Sequence, residues 1–499
     1  MDWLNYLVLG AFVAGMAAIA YFTRKRSKST DDFLLGNRGV TAWMSAFAYG
    51  TTYFSAVIFI GYAGSGGKEF GLAAVWIGAG NAVIGALCAW LLFAKRARTQ
   101  SHALGARTIP EFFEKKFDSK YIKLVAGCLI FVFLIPYSAS VYNGLGYLFE
   151  IVFGIPLWCV ILLMAALTAA YVFSGGYTAT VVSDFVQGLV MLAGVAVMAV
   201  FVFRAPEIGG FAEAVRRLSE AGKSLIPSGP VFWNLFFMIM LTSLGSWGMP
   251  QMAHKFFAVK NERGTVLRAA TVCAAFALIV GGGAYLVGTV VGVANPPLAE
   301  TGDRMIPELL SRTLPAGLMG LIAVLVLSAS MSTLSGLSLT GSGAVAIDVY
   351  KGYIKKQADD KKINFLTRML TLVFIAVSAA LALINSYTGV TTIVTLMSLS
   401  WGLLGGALVG PFALGLWFKG INKYGAYASI VSSCLITLVL FIIMKTVPSA
   451  AVVKPPFIGT MCLLASFPVT AAASWIGGKV KGSKDKGQGK EDTAAEVLL

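Results

Sequence analysis

The sequence predicts an all-α membrane protein of about thirteen transmembrane helices. Three observations carry that prediction: the balance of hydrophobic and charged residues, the length of the apolar blocks, and the placement of the basic residues. Of 499 residues, 57% are hydrophobic and 12% charged, whereas a soluble domain carries roughly twice that charged share. The apolar residues come in blocks such as Trp3 to Phe22, Val182 to Phe203 and Met369 to Ile384. About 20 apolar residues coiled as helix match the thickness of a bilayer core. Such blocks recur along the chain, and no interval between them suits a soluble domain of useful size.

Taken in order, the spans lie near 4–23, 41–64, 71–94, 124–148, 156–174, 182–203, 231–252, 269–293, 314–343, 369–385, 391–417, 425–445 and 456–477. The first has no basic stretch before it and is followed directly by Arg24, Lys25, Arg26 and Lys28. That pattern reads as an uncleaved helix with its N-terminus outside, in a cell inner or plasma membrane. Cytoplasmic segments are then 24–40, 95–123, 253–268, 344–368, 418–424 and the tail from 478. They hold about thirty of the 39 Lys and Arg residues, against about nine on the other side, as the positive-inside rule requires. The net charge of +16 is thereby explained by topology, and no basic folded domain offers itself to nucleic acid.

The tail from Lys479 is polar and Lys-rich and is expected to be disordered. His102 and His254, the two histidines, are placed in cytoplasmic loops. The six cysteines fall within spans and form no C-x-x-C pair, so they read as small buried hydrophobes. Nothing here suggests an enzyme, and no obligatory protein partner is evident. The expected partners are a bilayer, an ion and a solute.

Two spans look interrupted. The second reads Ala46-Phe-Ala-Tyr-Gly50-Thr51-Thr52-Tyr53-Phe54-Ser55-Ala56, and the seventh Leu241-Thr-Ser-Leu-Gly245-Ser246-Trp247-Gly248-Met249-Pro250. Irregular backbone at membrane depth survives only where it lines a cavity or is buried in protein. The interrupted spans are five apart, an odd number, so they cross the membrane in opposite senses. Spans 2–6 and 7–11 then form two inverted halves, each opening on a broken helix, the arrangement that points to a midplane transport site. The implied organisation is a first helix with a basic loop (1–40), a first five-helix repeat (41–203), a second (204–417), two C-terminal helices (418–477) and a cytoplasmic tail (478–499).

The ninth span stacks hydroxyls, with Ser328, Ser332 and Ser335 on one row and Ala329, Thr333 and Gly336 on the next. Such a face can offer neutral oxygens to a hard cation, or its side chains can bond their own i−4 carbonyls. Asp184 stands in an apolar stretch, where a carboxylate needs a reason. Either it holds a cation, or it caps the N-terminus of the sixth span near the inner surface.

Four motifs resemble those of the sodium/solute symporter family, whose members carry proline, pantothenate, sialic acid, sugars and monocarboxylates. They are Asp32-Phe-Leu-Leu-Gly-Asn-Arg38, Thr108-Ile-Pro-Glu-Phe-Phe113, Tyr171-Val-Phe-Ser-Gly-Gly-Tyr177 leading to Asp184-Phe-Val-Gln187, and Ser330-Met-Ser-Thr-Leu-Ser335. The resemblance extends to about residue 477. It implies the leucine-transporter type of inverted repeat and sodium-coupled uptake of a small organic solute, an amino acid such as proline or a small organic acid. A proton-coupled carrier or a transporter-like sensor on the same scaffold are the alternatives.

Carried onto this sequence, the family's main sodium site takes the carbonyls of Thr51, Phe54 and Ala329 and the hydroxyls of Ser332 and Thr333. Members that use a second sodium hold it with an acid and three hydroxyls. Here Asp184, Ser332 and Ser335 match, and Gly336 departs. Residues expected beside the solute are Tyr53, Val57, Tyr137, Tyr142, Ser246 and Trp247. Tyr53 and Val57 stand where the family's proline carriers have Asp and Trp.

Overall fold

The computed structural model describes residues 3–23, 30–294, 297–298, 301–447 and 453–496. These are helical throughout apart from short connections, and the one piece of β pairing among them is an isolated bridge between Val40 and Val259. All thirteen expected intervals are occupied by helix. Eleven helices among the described residues are long and apolar enough to cross a membrane, and Leu157–Phe173 is a shorter apolar one that serves as span 5. The remaining difference is span 2, which is split by its break and whose second half runs on toward span 3.

Burial ranks the spans. In the apolar window of Met319–Ile354, span 9, 94% of residues are buried, and in Ile393–Trp417, span 11, 78%. The corresponding figures are 11% for span 1 and 17% for span 12. Spans 9 and 11 are therefore enclosed by protein on nearly every side, while spans 1 and 12 present most of their surface outward. A helix hydrophobic all round, such as span 9, suits that interior position, and its serines must find partners there.

Several helices outrun their apolar blocks. Span 4 is Lys120–Phe153, broken neither by Pro136 nor by its polar ends. Span 7 continues past its break as Pro250–Ala258, which corrects the placement of His254 in a loop: it lies on this second half-helix and is buried. Span 13 runs on as helix from Pro455 to Glu496 where a disordered tail was expected. Once a membrane helix has supplied the nucleus, each further residue adds a backbone bond at low cost, so polar composition alone does not end it.

Three of the quoted motifs act as ties or kinks between spans. Thr108 caps helix Ile109–Phe117, accepting from Glu111 N–H at 3.1 Å, while Glu111 accepts from Arg107 N–H at 2.8 Å. The same Thr108 hydroxyl donates to Asp348 Oδ1 at 2.8 Å at the end of span 9. Arg38 donates to Ala106 O at 2.7 Å, joining the first loop to the second. Within the third motif, Gly176 takes φ 57° and ψ −151°, a conformation open to glycine, and this kink separates span 5 from span 6 (Gly176–Arg204).

Candidate functional site

Both interrupted spans are broken, span 2 four residues beyond Gly50 and span 7 directly after Gly248. Span 2 is helical over Ala42–Tyr53, and Phe54 leaves the helical path with φ −101° and ψ 99°. The backbone ladder stops with Phe54 N–H donating to Gly50 O at 3.1 Å and resumes with Ile58 N–H donating to Ser55 O at 3.0 Å. The carbonyls of Thr51 to Phe54 lie in the gap between these two bonds. Span 7 breaks at Met249, φ −71° and ψ 125°, between Gly229–Gly248 and Pro250–Ala258. Pro250 opens the second half at the position where its missing N–H costs nothing.

The glycines near the breaks serve packing. A Cβ on Gly50 would lie 2.4 Å from the Phe276 ring of span 8. On Gly245 it would meet Trp401 at 2.7 Å, and on Gly248 the Gly405 carbonyl at 2.5 Å. Glycine there lets spans 2, 7, 8 and 11 approach closely, and the unwinding is done by the residues that follow.

Span 9 reaches the first break through two hydroxyls. Ser332 Oγ donates to Thr51 Oγ1 at 2.8 Å, and Thr333 Oγ1 donates to the Thr52 carbonyl at 3.1 Å. Thr51 in turn donates to Phe47 O at 2.8 Å. Ala329 sits one turn earlier on the Thr333 row and is fully buried. Four oxygen-bearing residues from two helices, Thr51, Thr52, Ser332 and Thr333, thus meet beside a break in the ladder. Thr52 Oγ1 is buried with no hydrogen-bond partner among the described residues, so its hydroxyl is unspent as donor and as acceptor. Ser328 has no partner either, whereas Ser330, Ser335, Ser338 and Ser342 bond carbonyls of their own helix.

Asp184 is neither a cap nor alone. It lies two turns inside span 6, beyond reach of the helix start at Gly176, which sets aside the capping alternative. Its Oδ2 accepts from Lys255 Nζ at 3.3 Å, with side-chain exposures of 0% and 2%. Ser332 lies beside the same carboxylate. Ser335 donates to Ser332 O at 2.8 Å, and a side chain at position 336 would point at Thr52, 3.2 Å away. Lys255 escaped the sequence reading because it was assigned to a loop; a helix continuing through Pro250–Ala258 was the missing signal.

The candidate solute residues divide into groups. Tyr53 stacks on Trp401 at 6.0 Å and Tyr137 meets the same indole edge-on at 5.8 Å. Tyr53 donates to Thr242 O at 2.6 Å, whereas Tyr137 OH and Trp401 Nε1 are buried without partners among the described residues. Val57 begins the second half of span 2, its N–H donating to Ser55 Oγ at 3.2 Å, and Ser55 lies beside Tyr137. These four residues, Tyr53, Val57, Tyr137 and Trp401, are all at 0% exposure, so their cluster is closed to both sides. Ser246 donates to Gly85 O at 2.9 Å and Trp247 to Ile84 O at 2.8 Å, both on span 3. Tyr142 lies beside Thr168 of span 5. Trp401, on span 11, was not among the expected residues.

The osmoregulated proline transporter OpuE of Bacillus subtilis is 29% identical over 434 residues, covering 85% of this chain and 86% of that protein. The sodium/proline symporter of Escherichia coli is 26% identical over 479 residues, covering 89% and 93%. Among solved structures, a Na+-coupled sialic acid symporter superposes with a TM-score of 0.78 at 18% identity, covering 95% of this chain and 98% of that one. Mhp1, a nucleobase-cation-symport-1 family transporter, gives 0.53 at 16% identity, covering 90% and 96%. These likenesses show the leucine-transporter-type inverted repeat. The model of the sodium:solute symporter family matches residues 33–432, and the chain belongs to that family.

Proposed function

We propose that this sodium:solute symporter takes up proline or a closely similar small amino acid, one sodium ion binding where span 9 meets the break in span 2. The observation that carries the reading is the pair of cross-helix hydroxyl contacts, Ser332 to Thr51 and Thr333 to Thr52. The ligands are the carbonyls of Thr51, Phe54 and Ala329 and the hydroxyls of Ser332 and Thr333. All are neutral oxygens, the donor type that unwound helices offer to a hard monovalent cation. When sodium arrives, the two hydroxyls turn their lone pairs toward it and, still protonated, give up their hydrogen bonds to Thr51 and Thr52. The ion then joins the two helices in place of those bonds.

The solute sits beside the break, against Tyr53, Val57, Tyr137 and Trp401. These side chains are aromatic, apolar or hydroxyl-bearing, which suits a small ring or aliphatic body. The second half of span 2 starts at Ala56, and the solute carboxylate takes over the N–H groups of Val57 and Ile58, which Ser55 holds in its absence. Tyr142, Ser246 and Trp247 support this wall from behind. Proline is favoured because relatives named as proline transporters match over most of the chain. The departures at Tyr53 and Val57 widen the class to other small amino acids.

Residues 41–203 and 204–417 act as the two halves, 1–40 and 418–477 flank them, and 478–499 follows as a cytoplasmic tail. The protein lies in the cell inner or plasma membrane, N-terminus outside. The test is uptake of radiolabelled proline into proteoliposomes. An inward sodium gradient should drive accumulation, and an inward proton gradient in sodium-free buffer should not. Equal uptake under both would refute sodium coupling. A screen of amino acids and organic acids by competition then identifies the solute.

A further inference from the structure

The Asp184 carboxylate already has a cation. Lys255 reaches it from Pro250–Ala258, the half-helix after the break in span 7, at 3.3 Å and with both groups buried. The aliphatic stem and ammonium also face the ring of Tyr177, 5.3 Å from Nζ to the centroid. The other groups a second sodium would need are otherwise engaged. Ser332 donates to Thr51, Ser335 donates to Ser332 O, and position 336 is a glycine whose open side faces Thr52. A sodium ion on Asp184 would stand against the ammonium at contact distance, with little solvent to screen the repulsion.

We propose that the ammonium of Lys255 occupies the second cation position as a tethered ion, so that this protein binds a single sodium. The inference rests on the sodium site proposed above. Lys255 is then a positioning residue. It neutralises Asp184 without consuming a transported ion, and it fastens the second half of span 7 to span 6 beside Ser332, which belongs to the proposed sodium site. Ser332 in span 9 thereby stands between the exchangeable ion and the carboxylate that holds the tethered one.

The experiment counts sodium, not transport. Equilibrium binding of radiolabelled sodium to purified protein, without any solute, should give one ion per chain for the wild type. Lys255→Met leaves Asp184 uncompensated, and the count should rise to two. Asp184→Asn combined with Lys255→Met removes both charges, and the count should return to one. Two ions on the wild type would overturn the inference and leave the main site standing. A folded Lys255→Met that still binds one ion would overturn it as well. No sodium on the wild type would overturn the proposed coupling and this inference together. If Lys255→Met does not fold, the wild-type count decides. A mistaken solute alters none of these outcomes.

Discussion

Replacing Thr333 by valine removes one hydroxyl from the proposed sodium site while keeping the shape of the side chain. The cost can be worked from what that hydroxyl does in each state. Without sodium it donates to Thr52 O at 3.1 Å, a neutral hydrogen bond worth about 1 kcal/mol, whereas a bond to a charged partner is worth about 2–2.5 kcal/mol. Sodium affinity loses the difference, about 1–1.5 kcal/mol, or roughly 5- to 12-fold. The assay is initial proline uptake into proteoliposomes at fixed low solute across a sodium titration. Half-saturating sodium should rise by that factor, and the rate at saturating sodium should change by less than about twofold. Ser338→Ala is the control. That hydroxyl donates to Ser335 O of its own helix, and its loss should leave the sodium curve in place. An unchanged half-saturating sodium concentration in Thr333→Val would refute the assignment.

Tyr137→Phe deletes a buried hydroxyl that has no partner among the described residues. Thermal unfolding should be unchanged or slightly later, while solute affinity falls by about tenfold if the hydroxyl meets the solute, as one hydrogen bond implies. Gly248→Ala places a methyl 2.5 Å from the Gly405 carbonyl, and overpacking of this kind costs about 1–3 kcal/mol; its melting temperature should drop, while Gly10→Ala, with nothing within 4 Å, should not move. Asp303, outside the spans, is buried, and this pushes its carboxyl up to about 6, partly opposed by the Ile393 N–H that it accepts at 3.1 Å. The folded chain therefore binds that proton more tightly than the unfolded one, and this group's contribution to stability falls as pH rises from about 4 to 6. Asp303→Asn keeps the acceptor and should flatten that slope in melting temperatures taken across the range; an identical slope would refute it.

Hydropathy makes the spans legible because the bilayer fixes their length, and the two breaks are legible because lipid forbids irregular backbone without a reason. The breaks fall at Phe54 and Met249 rather than at the glycines, since those glycines answer to Phe276, Trp401 and Gly405 across helix contacts. No local pattern announces such contacts. Ser332 and Thr333 stand out as stacked hydroxyls on an apolar helix, a pattern that by itself leaves an ion site and plain packing open; the family resemblance is what singles them out as ligands. Lys255 is hidden by the opposite effect. A charged residue next to a histidine ends an apolar window, so the half-helix carrying it is read as loop. Its partner Asp184 is 71 positions away, a separation at which only the packing of spans 6 and 7 supplies the pairing.

That pairing bears on what the transporter can accomplish. Under the proposed arrangement, with Asp184 neutralised from within, sodium binds among neutral oxygens and brings one net charge through the membrane field. At 100 mV that charge is worth about 2.3 kcal/mol, close to a fiftyfold accumulation ratio. A tenfold sodium gradient multiplies the ratio by about ten, for a limit near 500-fold. A carrier moving two sodium ions would square both factors and reach about 2.5 × 10⁵-fold. Steady-state accumulation in tight proteoliposomes at a clamped potential separates these limits by more than two orders of magnitude. A ratio that climbs well past the single-ion limit would show a second ion crossing with the solute. A plateau below it, insensitive to lowering the leak, is what a tethered lysine in the second position demands.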